Sequence, residues 1–288
     1  MPMQPEAFFL PFGSAEDGQR YCLLHPTVKG CMTRGLVVYI HPMAEEMNKA
    51  RRMAALQART LAQAGYSVLQ IDLLGCGDSS GDFGDATWQG WVNDVVMGSQ
   101  WLREHSNRQG ISPHQAPLWL WGLRAGCLLA AEAATRLNEA CNFLFWQAPS
   151  AGKPLLQQFL RLKVAGDMLS GQSKGVMESM RHQLASGSAL EIAGYSLSPE
   201  LAEGLEQASL LAPTTAGKVQ RMEWFELSTR EGASLSPVST KTVAQWQQTG
   251  FATRSHIVRG PAFWQTSEIE DAPELIAATV DALTASAT

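Results

Sequence analysis

The chain reads as an α/β protein with a mainly parallel central sheet, flanked by helices and interrupted by a helical cap insertion. Three observations predict this class. Short apolar runs alternate with stretches of helical period up to residue 150, and again from residue 219. Gly35–Ile40 is continuously apolar and β-branched, as a strand covered on both faces must be. Residues 151–213 break the alternation with helical patterns rich in Gln, Ser and Gly and no apolar strand. Strand–helix alternation implies right-handed crossovers between parallel strands. Residues 1–150 and 214–288 are therefore expected to form the core, and 151–213 the cap.

Ala7–Phe12 and Arg20–His25 read as strands joined by the turn-rich Gly13–Gly18. After Gly35–Ile40, the residues Met47, Ala50, Ala54, Ala58 and Leu61 share one helical face, and Gly65 suits a C-terminal cap. Ser67–Asp72 is the next strand, followed by a Gly-rich turn and a helix over Thr87–Glu104. Pro117–Trp121 and Asn142–Gln147 are strands on either side of a helix over Ala125–Asn138. Beyond the insertion come a strand (Val219–Leu227), a helix (Val238–Thr249), a strand (Ala252–Val258) and a helix (Ala272–Leu283).

The 288 residues are 45% hydrophobic, enough for a sizeable core, and the net charge of −5 argues against nucleic-acid or anionic-membrane partners. No run approaches 18 apolar residues, so no membrane span is expected. Met1–Glu6 lacks the basic and apolar regions of a signal peptide. Cys22, Cys31, Cys76, Cys127 and Cys141 are odd in number and lack Cys-x-x-Cys spacing, which fits free thiols in a reducing cytoplasm. No His-x-x-x-His pair or other metal set stands out, and no cofactor is expected.

Trp119-Leu120-Trp121-Gly122-Leu123-Arg124-Ala125-Gly126-Cys127 carries the chemistry. An apolar strand runs into Gly-x-Arg-x-Gly and a small-residue helix, the layout of the nucleophile elbow that exposes Ser in Gly-x-Ser-x-Gly hydrolases. Here the central residue is Arg124, and a guanidinium stays protonated and cannot attack a carbonyl.

The order of elements, the elbow and the insertion resemble the α/β-hydrolase superfamily. Asp72-Leu73-Leu74-Gly75-Cys76-Gly77-Asp78-Ser79 supports this, since Asp-x-x-Gly-x-Gly-x-Ser is common after that fold's fourth strand. Four runs resemble the exosortase A system-associated hydrolases of the second type: Met43 to Met53, Gly75 to Phe83, Trp121 to Arg124, and Phe263 to Ile269. The resemblance implies hydrolase kinship and a place near the PEP-CTERM export-signal and exopolysaccharide systems of Gram-negative bacteria, with proteins of that pathway as partners.

Against the superfamily's triad, Arg124 holds the nucleophile position and Glu231 falls near the acid position. The loop Arg259–Trp264, where the histidine normally sits, has none. His256 lies earlier, inside a strand. A Ser–His–acid relay needs nucleophile and base in hydrogen-bond reach, so ordinary serine esterase chemistry is not expected. Whether the chain is catalytic at all stays open at this point. Acid–base candidates are His41, Glu45, Glu46, Asp78 and Glu268. The alternative for His41 is to fix its loop through backbone bonds, and for Asp78 and Ser79 to stabilise their turn. Ser79 is also the candidate for a relocated nucleophile.

Arg124, with Leu123, Met43, Lys49 and Trp264 around it, would bind a small anionic or acylated molecule. An arginine at an elbow tip sits beside a helix N-terminus, and both favour a carboxylate, sulfate or phosphate. The competing expectation is an internal partner, Glu45 or Glu46 first and Glu268 second, because a buried guanidinium left unpaired is costly. Three functions follow: an atypical hydrolase, a non-catalytic protein used for ligand sensing or protein docking, and an esterase with a relocated nucleophile.

Overall fold

The computed structural model describes residues 4–12, 18–28, 31–112, 114–169, 175–214 and 220–285. Met1–Met3, most of the Gly13–Gly18 turn, and Val219 at the expected start of a strand lie outside the described residues.

In chain order the strands of the central sheet are β1 (Glu6–Pro11), β2 (Gln19–His25), β3 (Gly35–Ile40), β4 (Tyr66–Ile71), β5 (Leu118–Leu123) and β6 (Cys141–Trp146). After a small hairpin, β7 (Leu190–Ile192) with β8 (Tyr195–Leu197), come β9 (Arg221–Ser228) and β10 (Ala252–Arg259). The eight sheet strands lie in the order β1-β2-β4-β3-β5-β6-β9-β10. β2 runs antiparallel to both its neighbours, and every pair from β4 to β10 is parallel.

Helices cover both faces. On one, α1 (Glu45–Gln63) and α8 (Pro273–Thr284) pack on Val37, Tyr39, Trp121, Trp146 and Phe225. On the other, α2 (Trp88–Arg108), α3 (Ala125–Ala134) and α7 (Pro237–Gln248) pack on Val38, Leu120, Phe143 and Trp224. All six residues of β3 and all six of β5 are buried, so these central strands carry apolar side chains at odd and even positions alike. The helix after the elbow stops at Ala134 rather than Asn138, where Thr135 bonds back from Oγ1 to the Glu132 carbonyl at 2.7 Å.

The described residues of the segment 151–213 contribute no strand to the central sheet. They hold α4 (Lys153–Leu169), α5 (Val176–Ala185), the β7–β8 hairpin and α6 (Pro199–Gln207). The hairpin departs from the purely helical expectation. Its strands have three residues each, too short for a period, and it is set by Ala193 and Gly194, both at positive φ as a tight hairpin turn requires. A bridge between Ala151 and Ser209 closes the segment at its base. Ser198 Oγ donates to the Ala86 carbonyl at 2.7 Å, and Asn48 Nδ2 of α1 donates to the Tyr195 hydroxyl at 3.0 Å. Gly204 lies so close to Trp88 that a Cβ there would sit 2.2 Å from the Trp88 Cβ. No helix among the described residues is long and apolar enough to cross a membrane.

Candidate functional site at the elbow

β5 ends at Leu123 and α3 begins at Ala125, with Arg124 between them at φ 54°, ψ −118°. That conformation is sparsely populated for a residue with a Cβ, and a surrounding structure must hold it. Two glycines do so by permitting close approach. A Cβ on Gly122 would lie 2.5 Å from the Cys127 nitrogen, and one on Gly126 would lie 2.1 Å from the Ile40 carbonyl oxygen. Arg124 N donates to the Trp146 carbonyl at 3.1 Å, and its own carbonyl accepts from Cys127 N at 3.0 Å. A second tight junction faces it: Ala44, between β3 and α1, sits at φ 52°, ψ −129°.

These two corners bring Arg124 and Glu46 together. Arg124 Nε lies 3.3 Å from both Glu46 carboxylate oxygens, and Nη2 lies 3.2 Å from Oε1. Arg124 Nη2 also donates to Gln158 Oε1 at 2.8 Å, while Gln158 Nε2 donates to Glu46 Oε1 at 3.3 Å. The guanidinium carbon stands 5.7 Å from the centre of the Trp264 ring, a distance suited to cation–π attraction. The pair is largely shielded, the two side chains being 12% and 10% exposed.

Met43, Glu45, Glu46, Ala125, Leu155, Gln158 and Phe159 enclose a crevice of only about 20 Å³ here. Glu45 points differently from its neighbour: its Oε2 is buried without a partner. Burial pushes the Glu45 carboxyl above its usual range, and the adjacent Glu46 charge adds to this.

The other expected site residues divide between the elbow and its surroundings. Leu123 is fully buried in the core beneath α1 and α8, and does not line the crevice. Lys49 Nζ donates to the Gln265 carbonyl at 3.3 Å. Trp264 is 3% exposed, with its indole N–H buried and unpartnered. Glu268 is exposed, and the carboxylate beside Arg124 is that of Glu46.

His41 is buried with both ring nitrogens on the backbone: Nδ1 on the Pro42 carbonyl at 2.7 Å, and Nε2 accepting from Leu73 N at 3.2 Å. Burial pushes its pKa down, with the Asp72 charge opposing. A neutral ring bonded at both ends fixes its loop and has no nitrogen left for substrate. Ser79 Oγ is likewise occupied, donating to the Asp72 carbonyl at 2.6 Å and accepting from Tyr21 N at 2.9 Å. Asp78 is exposed, and its backbone N–H donates to Asp72 Oδ2 at 3.1 Å. Both residues shape the turn. Glu231 is exposed beyond β9.

His256 joins a different charged cluster. Glu223, fully buried, takes Arg254 and Arg221 at 2.7 Å each and His256 Nε2 at 2.9 Å. Both arginines also reach the Ala282 carbonyl near the end of α8. Parallel register places Arg254 opposite Glu223, so β9 and β10 are tied together by charge and both reach α8 through the Ala282 carbonyl. Neither this cluster nor Gln158 belongs to a motif; only the i, i+2 spacing of Arg221 with Glu223, and of Arg254 with His256, hinted at the former. Among the described residues no group of His, Cys, Asp and Glu could hold a metal.

Residues 32–196 match the Hydrolase_4 family, described as serine aminopeptidase, S33. Protein ABHD12B of Homo sapiens is 32% identical over 104 residues, 36% of this chain, and the match spans 25% of that relative's length. Among solved structures, a soluble variant of monoglyceride lipase from Saccharomyces cerevisiae, in complex with a substrate analog, aligns over 97% of this chain and 95% of its own, with TM-score 0.60 and 15% identity. Est1E from Butyrivibrio proteoclasticus with ferulic acid aligns over 96% and 98%, with TM-score 0.61 and 12% identity. An alpha-beta serine hydrolase homologue from Coxiella burnetii aligns over 98% and 99%, with TM-score 0.52 and 14% identity. These likenesses show the α/β-hydrolase fold.

Proposed function

Because the chain belongs to the Hydrolase_4 family (serine aminopeptidase, S33), we propose that it uses the family's elbow to bind an anionic or acylated small molecule through Arg124, without serine ester hydrolysis. The observation that carries this is the guanidinium at the elbow tip, where the nucleophile would stand. A permanently protonated group there can polarise or hold a negatively charged or carbonyl-bearing ligand but cannot form an acyl-enzyme. The four runs that resemble exosortase A system-associated hydrolases support a ligand from the exopolysaccharide system, as a cytoplasmic intermediate or a signal shared with proteins of that pathway.

Support comes from the looseness of the internal pair. Arg124 and Glu46 approach to 3.2 Å, whereas Arg20–Asp94, Arg103–Glu139 and Arg254–Glu223 close to 2.7–2.8 Å. A charge-assisted bond at full strength lies near 2.7–2.9 Å, so an external anion has something to gain over Glu46. Ser79 gives no support to a displaced nucleophile, since its hydroxyl is engaged on both sides.

Two measurements test the reading together. A fluorophosphonate probe should leave every serine unlabelled, and a panel of carboxylates, phosphates and acyl sugars should raise the melting temperature of the wild type but not of Arg124→Ala. Stoichiometric labelling of any serine, or equal shifts in both proteins, would overturn it.

A further inference from the structure

We infer that the seat filled by the Glu46 carboxylate is the receptor for a free monocarboxylate bearing an apolar tail, and that Gln158 of the insertion is a specificity-determining contact for its head. This rests on the reading of Arg124 as an anion-binding group and narrows it to one ligand class.

Glu46 itself is the first argument. A planar, singly charged, two-oxygen group already occupies the space between Arg124 Nε, Arg124 Nη2 and the Gln158 amide, at 3.2–3.3 Å from each. Glu46 reaches these donors while tethered to α1, and its contacts with Arg124 stay at 3.2–3.3 Å. A ligand carboxylate without this tether can take the same donors at shorter range. Gln158 offers an amide N–H to the ligand while its carbonyl stays on Arg124 Nη2 at 2.8 Å.

Charge selects the head group. A monoanion that replaces Glu46 beside Arg124 leaves the charge of the seat unchanged. A phosphate monoester would bring a second negative charge to a seat whose one guanidinium balances only one, beside Glu45, whose Oε2 lies buried and unpartnered in the crevice wall. Burial favours the protonated form of Glu45, whose O–H could then donate to the second ligand oxygen. The displaced Glu46 has a cation within reach, since Lys49 stands three residues on along α1.

The walls select the tail. Met43, Leu155 and Phe159 border the crevice, and its volume of about 20 Å³ is room for about one water, so a tail enters only if α4 yields. Beside α4 there is open space. Leu156 and Leu160, each one residue on from Leu155 and Phe159 and so about 100° around that helix, border a cleft of about 590 Å³ shared with α5 and α6. A shift of α4 toward this cleft would carry Leu155 and Phe159 with it, and a hydrocarbon tail would take the volume they leave.

The test is calorimetric titration of the full chain at pH 7 with decanoate, acetate, methyl decanoate and decyl phosphate, using wild type, Glu46→Gln and Gln158→Leu. Decanoate should bind the wild type. Glu46→Gln, which removes the competing carboxylate but keeps its shape, should tighten decanoate about tenfold, the worth of one charge-assisted hydrogen bond. Gln158→Leu should weaken it by a similar factor, and the other three ligands should bind much more weakly. Decyl phosphate binding tighter than decanoate, or acetate matching it, would overturn the inference while leaving Arg124 as an anion site. So would unchanged decanoate affinity in Glu46→Gln. Absence of binding by every anion, to wild type and variants alike, would sink the underlying reading as well. Should Glu46→Gln not fold, the wild-type ligand series alone decides, since tail length and head charge are read without any variant.

Discussion

Replacing Arg124 with Ala isolates what the elbow pair contributes to the fold. The change leaves the Glu46 carboxylate, 10% exposed, with the Gln158 amide as its remaining close donor. Removing one partner of a buried pair costs about 3–5 kcal/mol. The contacts here are long, both side chains keep about a tenth of their exposure, and Lys49 is nearby, so about 2 kcal/mol is expected. For a chain of this size each kcal/mol moves the midpoint by about 2–4 °C, which makes the expected fall about 6 °C at pH 7. Ala is the informative replacement because it retains a Cβ at φ 54°, whereas Gly would also relieve the backbone. The control is a double-mutant cycle with Glu46→Gln, read by thermal melts of all four proteins. Removing the stranded charge in the Arg124→Ala/Glu46→Gln protein should recover about 1 kcal/mol. Effects that add to within about 0.3 kcal/mol would show that the pair carries no coupling, and the reasoning would be wrong.

Two further outcomes concern charge and pH. Glu45→Gln should be about 1 kcal/mol more stable than wild type at pH 7, because desolvation chiefly raises the Glu45 carboxyl and the folded state then disfavours its charge. The folded protein binds that proton more readily than the unfolded chain, so wild type gains relative stability as pH falls. The difference should vanish below the ordinary carboxylate range; a difference constant from pH 3 to pH 7 would refute this. Glu223 behaves oppositely: burial alone would raise it, but hydrogen bonds from His256, Arg254 and Arg221 outweigh burial and hold it below the ordinary carboxylate value. Its contribution is present above that value and is lost as pH falls through the depressed folded value, so Glu223→Gln should cost about 3 kcal/mol at pH 7, with the gap to wild type closing in acid melts.

The parts of the site that could be read from sequence are those written as local spacing. Gly122 and Gly126 flank Arg124 at fixed offsets because one faces the Cys127 nitrogen and the other the Ile40 carbonyl, and neither contact tolerates a Cβ. The sheet was legible for a similar reason: strands buried on both faces must be apolar at every position, as β3 and β5 are. The β7–β8 hairpin was not, because three-residue strands carry no periodic signal and its turn depends on Ala193 adopting positive φ. Gln158 was equally silent, being one of several glutamines on the insertion, and only the packing of α4 over the elbow distinguishes it.

The choice between Glu45 and Glu46 shows where pattern gives out. Successive residues on a helix differ by about 100° in direction, so two adjacent glutamates in a first turn cannot both face the elbow. Which one does is decided by how the chain enters α1, and Ala44 at φ 52°, ψ −129° makes that entry. Nothing about an alanine in a sequence announces a positive φ. Yet this one dihedral sends Glu46 to the guanidinium and leaves Glu45 Oε2 without a partner. A backbone corner thereby assigns two identical side chains to different chemistry, one as the occupant of the seat and the other as a member of its wall.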